Sequence, residues 1–281
     1  MHGCTSSTAS FSQALGRLTL CGSMSLHPVS TGAAMHLAGY RALGLDFTYI
    51  PFAVTDVEGA TRGMRALGIR GLGVSMPYKQ AVIPLLDEID PVAARIGAVN
   101  TIVNDGGRLR GHNTDWIGAA RALEEATQLG GARVLLLGAG GAARAVAFGL
   151  AERGARVTIA NRNLEKARQL AAAVGGTAVP LDGGALTPDH DVLVNATSRG
   201  MTEVDPRSPV PEEALREGLL VMDIVYKPMI TELVEAARRR GATAVHGGRM
   251  LLHQAAEQFR LYTGREPPLD AMDEALRAQL G

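Results

Sequence analysis

Residues 134–150 read VLLLGAGGAARAVAFGL, an apolar run that passes through a glycine-rich turn into a series of small residues. This pattern predicts a strand, a phosphate-binding loop and a helix. Gly138 suits the tight turn out of the strand, Gly140 lets backbone N–H groups approach a pyrophosphate, and Ala143 keeps the helix close to the sheet. Residues 156–160 predict a second strand, which completes a βαβ unit of the kind that binds dinucleotides.

The residues after that second strand bear on which dinucleotide binds. NAD sites place a carboxylate here to accept hydrogen bonds from the ribose. This chain instead has Asn161, Arg162 and Asn163, followed by Lys166. A guanidinium and an ammonium pair with a 2′-phosphate, so the pattern favours NADP. Two solvated cations on a surface helix are the alternative explanation.

The composition excludes several classes of protein. A chain of 281 residues is long enough for two domains. The 28 basic and 28 acidic residues balance, which argues against a general nucleic-acid binder.

The two cysteines, Cys4 and Cys21, are too few for a disulfide framework and favour the cytoplasm. No apolar run is long enough for a membrane span, and the histidine spacing predicts no metal site. Residues 1–15 are predicted to be a poorly ordered lead-in.

The remaining pattern alternates short apolar runs with helical periodicity. It predicts strands at 18–21, 47–52, 71–76, 99–103, 109–111, 191–195, 219–223 and 243–245. It predicts helices at 33–43, 57–67, 77–86, from Pro91, and at 116–129, 229–240, 251–261 and 269–280.

The expected fold is therefore α/β with two domains. Residues 1–114 and 248–281 form an N-terminal α/β substrate domain with a mainly parallel sheet. Residues 115–247 form a C-terminal Rossmann domain, and the last helices return to the substrate domain.

A second group of polar residues stands outside the Rossmann unit. Residues 73–79, GVSMPYK, end a strand where open α/β sheets place ligands, and Lys79 is expected in the first turn of the following helix. A cation there opposes the helix dipole, which favours a functional role over a structural one. Asn113, Thr114 and Asp115 are ordinary helix-capping residues, and taken alone this position favours capping over a functional role. Gln254 could likewise be a solvated position on its helix.

Eight ordered motifs resemble those of the shikimate dehydrogenase family. They are SMPYK, GAVNT, NTDWIG, GAGGAARA, NRNLEK, NATSRGM, DIVYKP and GGRMLLHQAAEQFRLYTG. The resemblance covers the chain from Cys21 to Gly264. The resemblance implies two hinged domains, one for a hydroxylated cyclohexene acid and one for NADP. It also implies reversible hydride transfer between the nicotinamide and C3 of shikimate.

The resemblance implies a role for each residue that matches a motif. Lys79 and Asp115 would be the catalytic pair. The implied substrate-binding residues are Ser30, Ser75, Asn100, Tyr226 and Gln254. The implied cofactor-binding residues are Gly138, Ala139, Gly140, Gly141, Ala142, Asn161, Arg162, Lys166, Thr197, Ser198 and Gly247.

The chain departs from the family pattern near its first motif. The family holds the substrate carboxylate with two serines one residue apart, whereas this chain keeps only Ser30 and has Pro28 in place of the other. Two residues within 31–33 are inserted, and Leu37 and Gly73 stand where the family commonly has Asn. These departures resemble the divergent, shikimate dehydrogenase-like branch.

Three hypotheses follow from these residues. The leading one is an NADP-dependent dehydrogenase for shikimate or a close relative such as quinate or an aminoshikimate, acting as a monomer or homodimer in the cytoplasm. A second is a cofactor-binding regulatory module with little activity, which is disfavoured by the joint retention of Lys79, Asp115, Asn100 and Gln254. A third is quinate oxidation with NAD, which Arg162 and Lys166 disfavour.

Overall fold

The computed structural model describes residues 18–182 and 184–280. The expectations for residues 1–15 and for Cys4 lie outside these residues. Within them the chain forms two six-stranded sheets, each covered by helices. The expected α/β fold with two domains is thereby confirmed.

The first sheet contains the substrate-side elements. Its strand order is β2-β1-β3-β5-β6-β4, in which β1 pairs in parallel with β2 and β3, and β5 is antiparallel to both β3 and β6. The strands are β1 Thr19–Ser25, β2 Phe47–Ala53, β3 Gly71–Val74, β4 Glu88–Ile89, β5 Thr101–Asp105 and β6 Arg108–His112. The helices of this part are α1 Thr31–Ala42, α2 Val57–Ala66 and α3 Pro91–Ile96.

The second sheet is entirely parallel, in the order β12-β11-β10-β7-β8-β9. Its strands are β7 Arg133–Leu137, β8 Arg156–Asn161, β9 Thr177–Pro180, β10 Val192–Asn195, β11 Leu220–Asp223 and β12 Thr243–Val245. Its helices are α4 Asp115–Glu124, α5 Gly141–Glu152, α6 Leu164–Val174 and α7 Glu232–Arg239. Residues 134–137 of the central strand are fully buried, with alternate side chains in two cores on opposite faces of the sheet. A strand that is covered on both faces has an unbroken apolar sequence, and for this reason residues 134–137 predicted a strand of a parallel sheet.

Two C-terminal helices return to the first sheet, as expected. Helix α8 spans Gly247–Thr263 and packs along α4, and α9 spans Leu269–Leu280 and packs on α1. Phe259 and Tyr262 of α8 and Met272 of α9 are buried in the same core as Tyr40 of α1. The domain bounds at 114/115 and 247/248 stay a prediction, and they fall at the starts of α4 and α8.

The predicted helix at 77–86 is wrong. Residues 77–82 form turns, and only Ile83–Leu85 form a short 3-10 helix. Pro84 explains the difference, because it has no N–H to donate to the carbonyl four residues earlier and its ring crowds that carbonyl. The connecting helix also ends earlier than expected, at Glu124 rather than 129, and α7 begins at Glu232 rather than 229 because Thr231 caps it. Strands β4 and β9 were not predicted.

Candidate active site

Lys79 and Asp115 form an ion pair at the carboxyl end of β3. The ammonium Nζ lies 2.6 Å from Asp115 Oδ2, and the two side chains are 28% and 10% exposed. Asp115 is the first residue of α4, where a carboxylate is favoured by the helix dipole. The aspartate is therefore largely shielded from water, while the lysine remains partly exposed. The resemblance implied that these residues would act together, and the structure places them in contact.

Lys79 lies in a turn and not in the first turn of a helix, so the expectation that it opposes a helix dipole is wrong. The turn is held by Tyr78, which is 8% exposed and whose hydroxyl donates to the Val54 carbonyl at 2.5 Å. The Lys79 carbonyl accepts a hydrogen bond from Val99 N at 2.8 Å. The backbone of the lysine is thus fixed from two sides, which leaves its long side chain to reach Asp115.

Asn100 holds the carboxylate oxygen of Asp115 that does not contact Lys79. It is 1% exposed, and its Nδ2 donates to Asp115 Oδ1 at 2.8 Å and to Thr114 Oγ1 at 3.0 Å. Its Oδ1 accepts from Thr114 N at 2.7 Å and from Thr101 Oγ1 at 2.8 Å. Thr114 is the residue before α4, but its hydroxyl does not cap the helix. Both amide donors of Asn100 are used within the protein, so in this arrangement the residue positions Asp115. Direct contact of Asn100 with substrate stays a prediction.

Gln258 completes this hydrogen-bond network, and it was not predicted as a site residue from the sequence. Its Nε2 donates to Thr101 Oγ1 at 3.0 Å, and its Oε1 lies 3.4 Å from His36 Nε2. Burial lowers the pKa of His36 from 6.5 to about 4, so this imidazole is neutral at pH 7. The available signal was spacing, because Gln258 lies four residues after Gln254 and therefore on the same face of a helix.

The other four predicted substrate residues differ in their surroundings. Ser75 is exposed directly after β3, and Tyr226 is 38% exposed after β11. Gln254 is partly buried on α8, where a Cβ added to Gly118 of α4 would lie 3.0 Å from its Cβ. The Ser30 hydroxyl donates to Gln279 Oε1 of α9 at 2.9 Å, so it is engaged with another helix. Their contacts with substrate stay predictions.

The glycine-rich loop leaves room for a pyrophosphate. Gly138 has a φ of 109°, a conformation that side chains disfavour, and a Cβ there would lie 2.8 Å from the Ala196 carbonyl. A Cβ added at Gly140 or Gly141 would meet nothing within 4 Å, so the approach to their backbone is open. Beside the loop is a cavity of about 810 Å³, lined by Gly138, Ala139, Gly140, Asn161, Arg162, Thr197 and Ser198 among others. Gly141 and Ala142 begin helix α5 and are exposed.

A second cavity, of about 510 Å³, adjoins the first at the end of β8. It is lined by Ala139, Gly140, Asn161, Arg162, Asn163 and Lys166. This lining carries two cations and no carboxylate. The donor set therefore fits a phosphate group, which is what the sequence pattern favoured.

A buried carboxylate holds the two loops that follow β10 and β11. Asp223 is fully buried, and its oxygens accept from Asn195 Nδ2 at 3.0 Å, Val225 N at 3.0 Å and Thr231 Oγ1 at 2.7 Å. Asn195 Oδ1 in turn accepts from Thr197 N at 3.0 Å and Thr197 Oγ1 at 2.7 Å. Burial raises the pKa of Asp223 from 3.8 to about 6. Thr197 was predicted from the sequence, but Asn195 and Asp223, the buried residues that hold it, were not.

Gly247, predicted to bind the cofactor, begins helix α8 against this region. A Cβ at this position would lie 2.5 Å from the carbonyls of both Ile224 and Val225. Glycine is required here because two backbones meet, and contact of Gly247 with a cofactor stays a prediction.

Two further expectations concern metals and membranes. Among residues 18–182 and 184–280, no three His, Cys, Asp or Glu side chains gather as a metal-binding group. In the same part of the chain, no helix has the length and apolarity needed to cross a membrane.

Family models match three segments that together cover most of the chain. The shikimate dehydrogenase substrate-binding domain matches residues 26–102, shikimate/quinate 5-dehydrogenase matches residues 120–239, and the shikimate 5′-dehydrogenase C-terminal domain matches residues 247–277.

Individual relatives agree with these models. The NADP⁺ shikimate dehydrogenase of Methanothermobacter thermautotrophicus is 47% identical over 270 residues, which cover 90% of this chain and 94% of that protein. The structure of Thermus thermophilus shikimate 5-dehydrogenase with NADP(H) and shikimate has a TM-score of 0.84 and 39% identity, covering 94% of this chain and 100% of the other. The 5-ketofructose reductase of a Gluconobacter strain has a TM-score of 0.89 and 36% identity, covering 93% and 99% of the two chains. This chain belongs to the shikimate dehydrogenase family.

Proposed function

We propose that this protein is an NADP-dependent shikimate dehydrogenase, which transfers a hydride reversibly between NADPH and 3-dehydroshikimate to give shikimate. The observation that carries the proposal is the Lys79–Asp115 pair, fixed by Asn100 at the carboxyl end of β3. Its relatives in Methanothermobacter and Thermus support the choice of cofactor and substrate.

Lys79 serves as the proton donor when the ketone is reduced. Hydride addition to a carbonyl carbon leaves negative charge on the oxygen, and a nearby ammonium stabilises that charge most in a site shielded from water. Asp115 Oδ2, 2.6 Å from Nζ, aims the ammonium at the reacting oxygen and accepts a hydrogen bond from the substrate hydroxyl. In the oxidation direction the same pair removes the hydroxyl proton. Asn100 holds Asp115 Oδ1 so that the carboxylate keeps this orientation.

The open backbone at Gly140 and Gly141 fits the pyrophosphate of NADP, and Arg162 and Lys166 fit its 2′-phosphate. When bound, the nicotinamide supplies or accepts the hydride. Thr197 and Ser198 line the larger cavity, and Asn195 and Asp223 keep their loop in place.

We further propose that the enzyme works in the cytoplasm, in the chorismate pathway of aromatic amino acid biosynthesis, as a monomer or homodimer. The few cysteines favour a reducing compartment, and burial raises the pKa of the Cys21 thiol to about 11, which keeps it unreactive. Sedimentation of the purified protein would decide between the two oligomeric states.

Ser30 is the reason to test related substrates. Its hydroxyl is bonded to Gln279, and Pro28 offers no donor, so neither position offers an obvious free group for a carboxylate. Quinate and aminoshikimate are therefore alternative substrates.

The deciding experiment measures formation of the reduced cofactor, NADPH from NADP and NADH from NAD, with shikimate, quinate and aminoshikimate as substrates. We expect the highest kcat/KM with shikimate and NADP. Binding of NADPH without turnover of any of the three would instead support a regulatory module.

A further inference from the structure

Arg144 of α5 reaches across to helix α3 of the substrate side. Its Nε donates to the Ile96 carbonyl at 2.5 Å and its Nη2 donates to the Arg95 carbonyl at 2.6 Å. The guanidinium carbon also lies 5.2 Å from the centre of the Phe148 ring, one helical turn further along α5. One side chain from the cofactor-binding half therefore holds the last residues of a helix in the other half.

The end of α3 offers two carbonyls that suit an arginine. Gly97, with a φ of 74°, terminates the helix, and its N–H and that of Ala98 return to carbonyls earlier in α3. The carbonyls of Arg95 and Ile96 remain available at the negative end of the helix dipole. A planar guanidinium can donate to both at once, whereas a lysine ammonium would act as a single point charge.

The segment after α3 leads directly to the catalytic pair. Asn113 Nδ2 donates to the Ala98 carbonyl at 3.0 Å, and Val99 N donates to the Lys79 carbonyl at 2.8 Å. The next residue is Asn100, which holds Asp115. Only residues 97–99 separate Ile96, which Arg144 contacts, from Asn100, which holds Asp115, and Val99 within this segment bonds to Lys79.

The other end of the connection is the phosphate-binding loop. Arg144 lies in the first turn of α5, and its N–H donates to the carbonyl of Gly140 at 2.9 Å. A ligand that orders Gly140 and Gly141 therefore acts on the backbone that carries Arg144.

We infer that Arg144 is a positioning residue that couples occupation of the phosphate-binding loop to the geometry of Lys79 and Asp115. The consequence is positive cooperativity, in which the dinucleotide and the substrate each strengthen binding of the other. This inference rests on the proposed function, because it takes the two ligands from it.

The test uses NADPH and shikimate together, since both are in the reduced form and no hydride can be transferred. NADPH is titrated by its fluorescence into the full-length protein, with and without saturating shikimate. We expect shikimate to lower the Kd of NADPH by about fivefold or more in the native protein, within the usual range of coupling between sites. In Arg144→Met the ratio should fall to near 1, while the Kd of NADPH measured alone stays within about twofold of native. Arg144→Lys should give an intermediate ratio.

Arg153→Met is the matched control. Arg153 follows the same helix, lies 5.7 Å over the Trp116 ring and donates to Glu124 at 2.7 Å, so these two contacts are with α4 and not with α3. Loss of packing should lower Tm in both Met variants, whereas only Arg144→Met should lose the coupling. A native protein that binds both ligands independently, or an Arg144→Met variant with native coupling, would overturn the inference. Failure of the native protein to bind NADPH at all would instead contradict the proposed function.

Discussion

At the scale of single residues, Lys79 and Asp115 provide the sharpest test of the mechanism. We expect Lys79→Met and Asp115→Asn each to lower kcat by on the order of 10² or more, because each removes a group that moves or directs a proton. The two groups act on one oxygen, so the double substitution should cost less than the sum of the single ones. The measurement is kcat with the best substrate of the panel.

Folding and cofactor binding serve as the controls for these variants. The Tm and the Kd of NADPH should stay near native values, because Lys79 is partly exposed and Asn is also an acceptable residue at a helix start. A Lys79→Met enzyme that keeps more than about a tenth of native kcat would refute the assignment.

Arg162 is expected to determine the preference for NADP. Arg162→Ala should lower the ratio of kcat/KM with NADP to that with NAD by about tenfold or more, the equivalent of a charge-assisted hydrogen bond of roughly 1.5 kcal/mol. Arg168→Ala is the matched control, since Arg168 is a 65% exposed arginine of α6 that does not line the phosphate cavity. Equal efficiencies with both cofactors in the native enzyme would exclude this role.

Site residues that belong to short motifs were predictable from the sequence, whereas residues that meet only in the fold were not. Lys79 and Asp115 were paired through the family resemblance, and the structure places them in contact. Gln258 bonds to Thr101 across 157 positions, and no local pattern connects those two residues. Arg144 was visible in the glycine-rich motif, but its contact with α3 depends on how the two sheets are joined.

At the scale of elements, close packing of α4 against α8 brings Gln254 beside the catalytic helix. A Cβ on Gly118 would lie 2.7 Å from the Met250 carbonyl and 3.0 Å from Gln254 N, both of which are in α8. We expect Gly118→Ala to push the helices apart, to lower the free energy of unfolding by roughly 1–3 kcal/mol and to raise KM. Urea unfolding and steady-state kinetics measure the two effects.

Gly63 of α2 is the matched control for this substitution. A Cβ there would meet nothing within 4 Å, and the residue lies inside a helix. Gly63→Ala should therefore stabilise the protein by about 0.5–1 kcal/mol, through the usual difference between these residues in helices, and leave KM unchanged. Stabilisation by both substitutions would show that α4 and α8 are free to adjust.

Helices and strands were predicted best where the apolar pattern extended over many residues. The Rossmann strands and α5 follow from residues 134–160, because burial on both faces of a parallel sheet leaves an unmistakable apolar run. The segment 77–86 failed because its apolar residues mimic helical spacing, while Pro84 prevents the backbone from following it. Strand β4 has only two residues, too few to show any periodicity.

At the scale of the whole molecule, Asp223 should make stability depend on pH. Its folded pKa of about 6 exceeds the ordinary 3.8, so between these values the folded protein retains a proton that the unfolded chain has lost. The free energy of unfolding should therefore fall as pH rises through this window, by up to roughly 3 kcal/mol, and the fall should be complete above about pH 6.

Asp223→Asn isolates this contribution from other titrating groups. An asparagine at this position can still accept from Asn195 and Val225, and it can donate to the Thr231 hydroxyl. Urea unfolding across this pH range should give a difference between variant and native protein that grows towards high pH. Parallel pH profiles for the two proteins would show that the carboxylate titrates normally.

The return of α9 to α1 has a consequence for how the chain is made. Ser30 bonds to Gln279, and Met272 and Leu276 fill the core beside Tyr40. During synthesis the strands from β7 to β12 have all left the ribosome before either closing helix appears. The cofactor-binding half is thus ready to fold while the half made first still exposes the core surface that awaits α8 and α9. The apolar surface around Tyr40 is therefore open to aggregation until α9 has emerged.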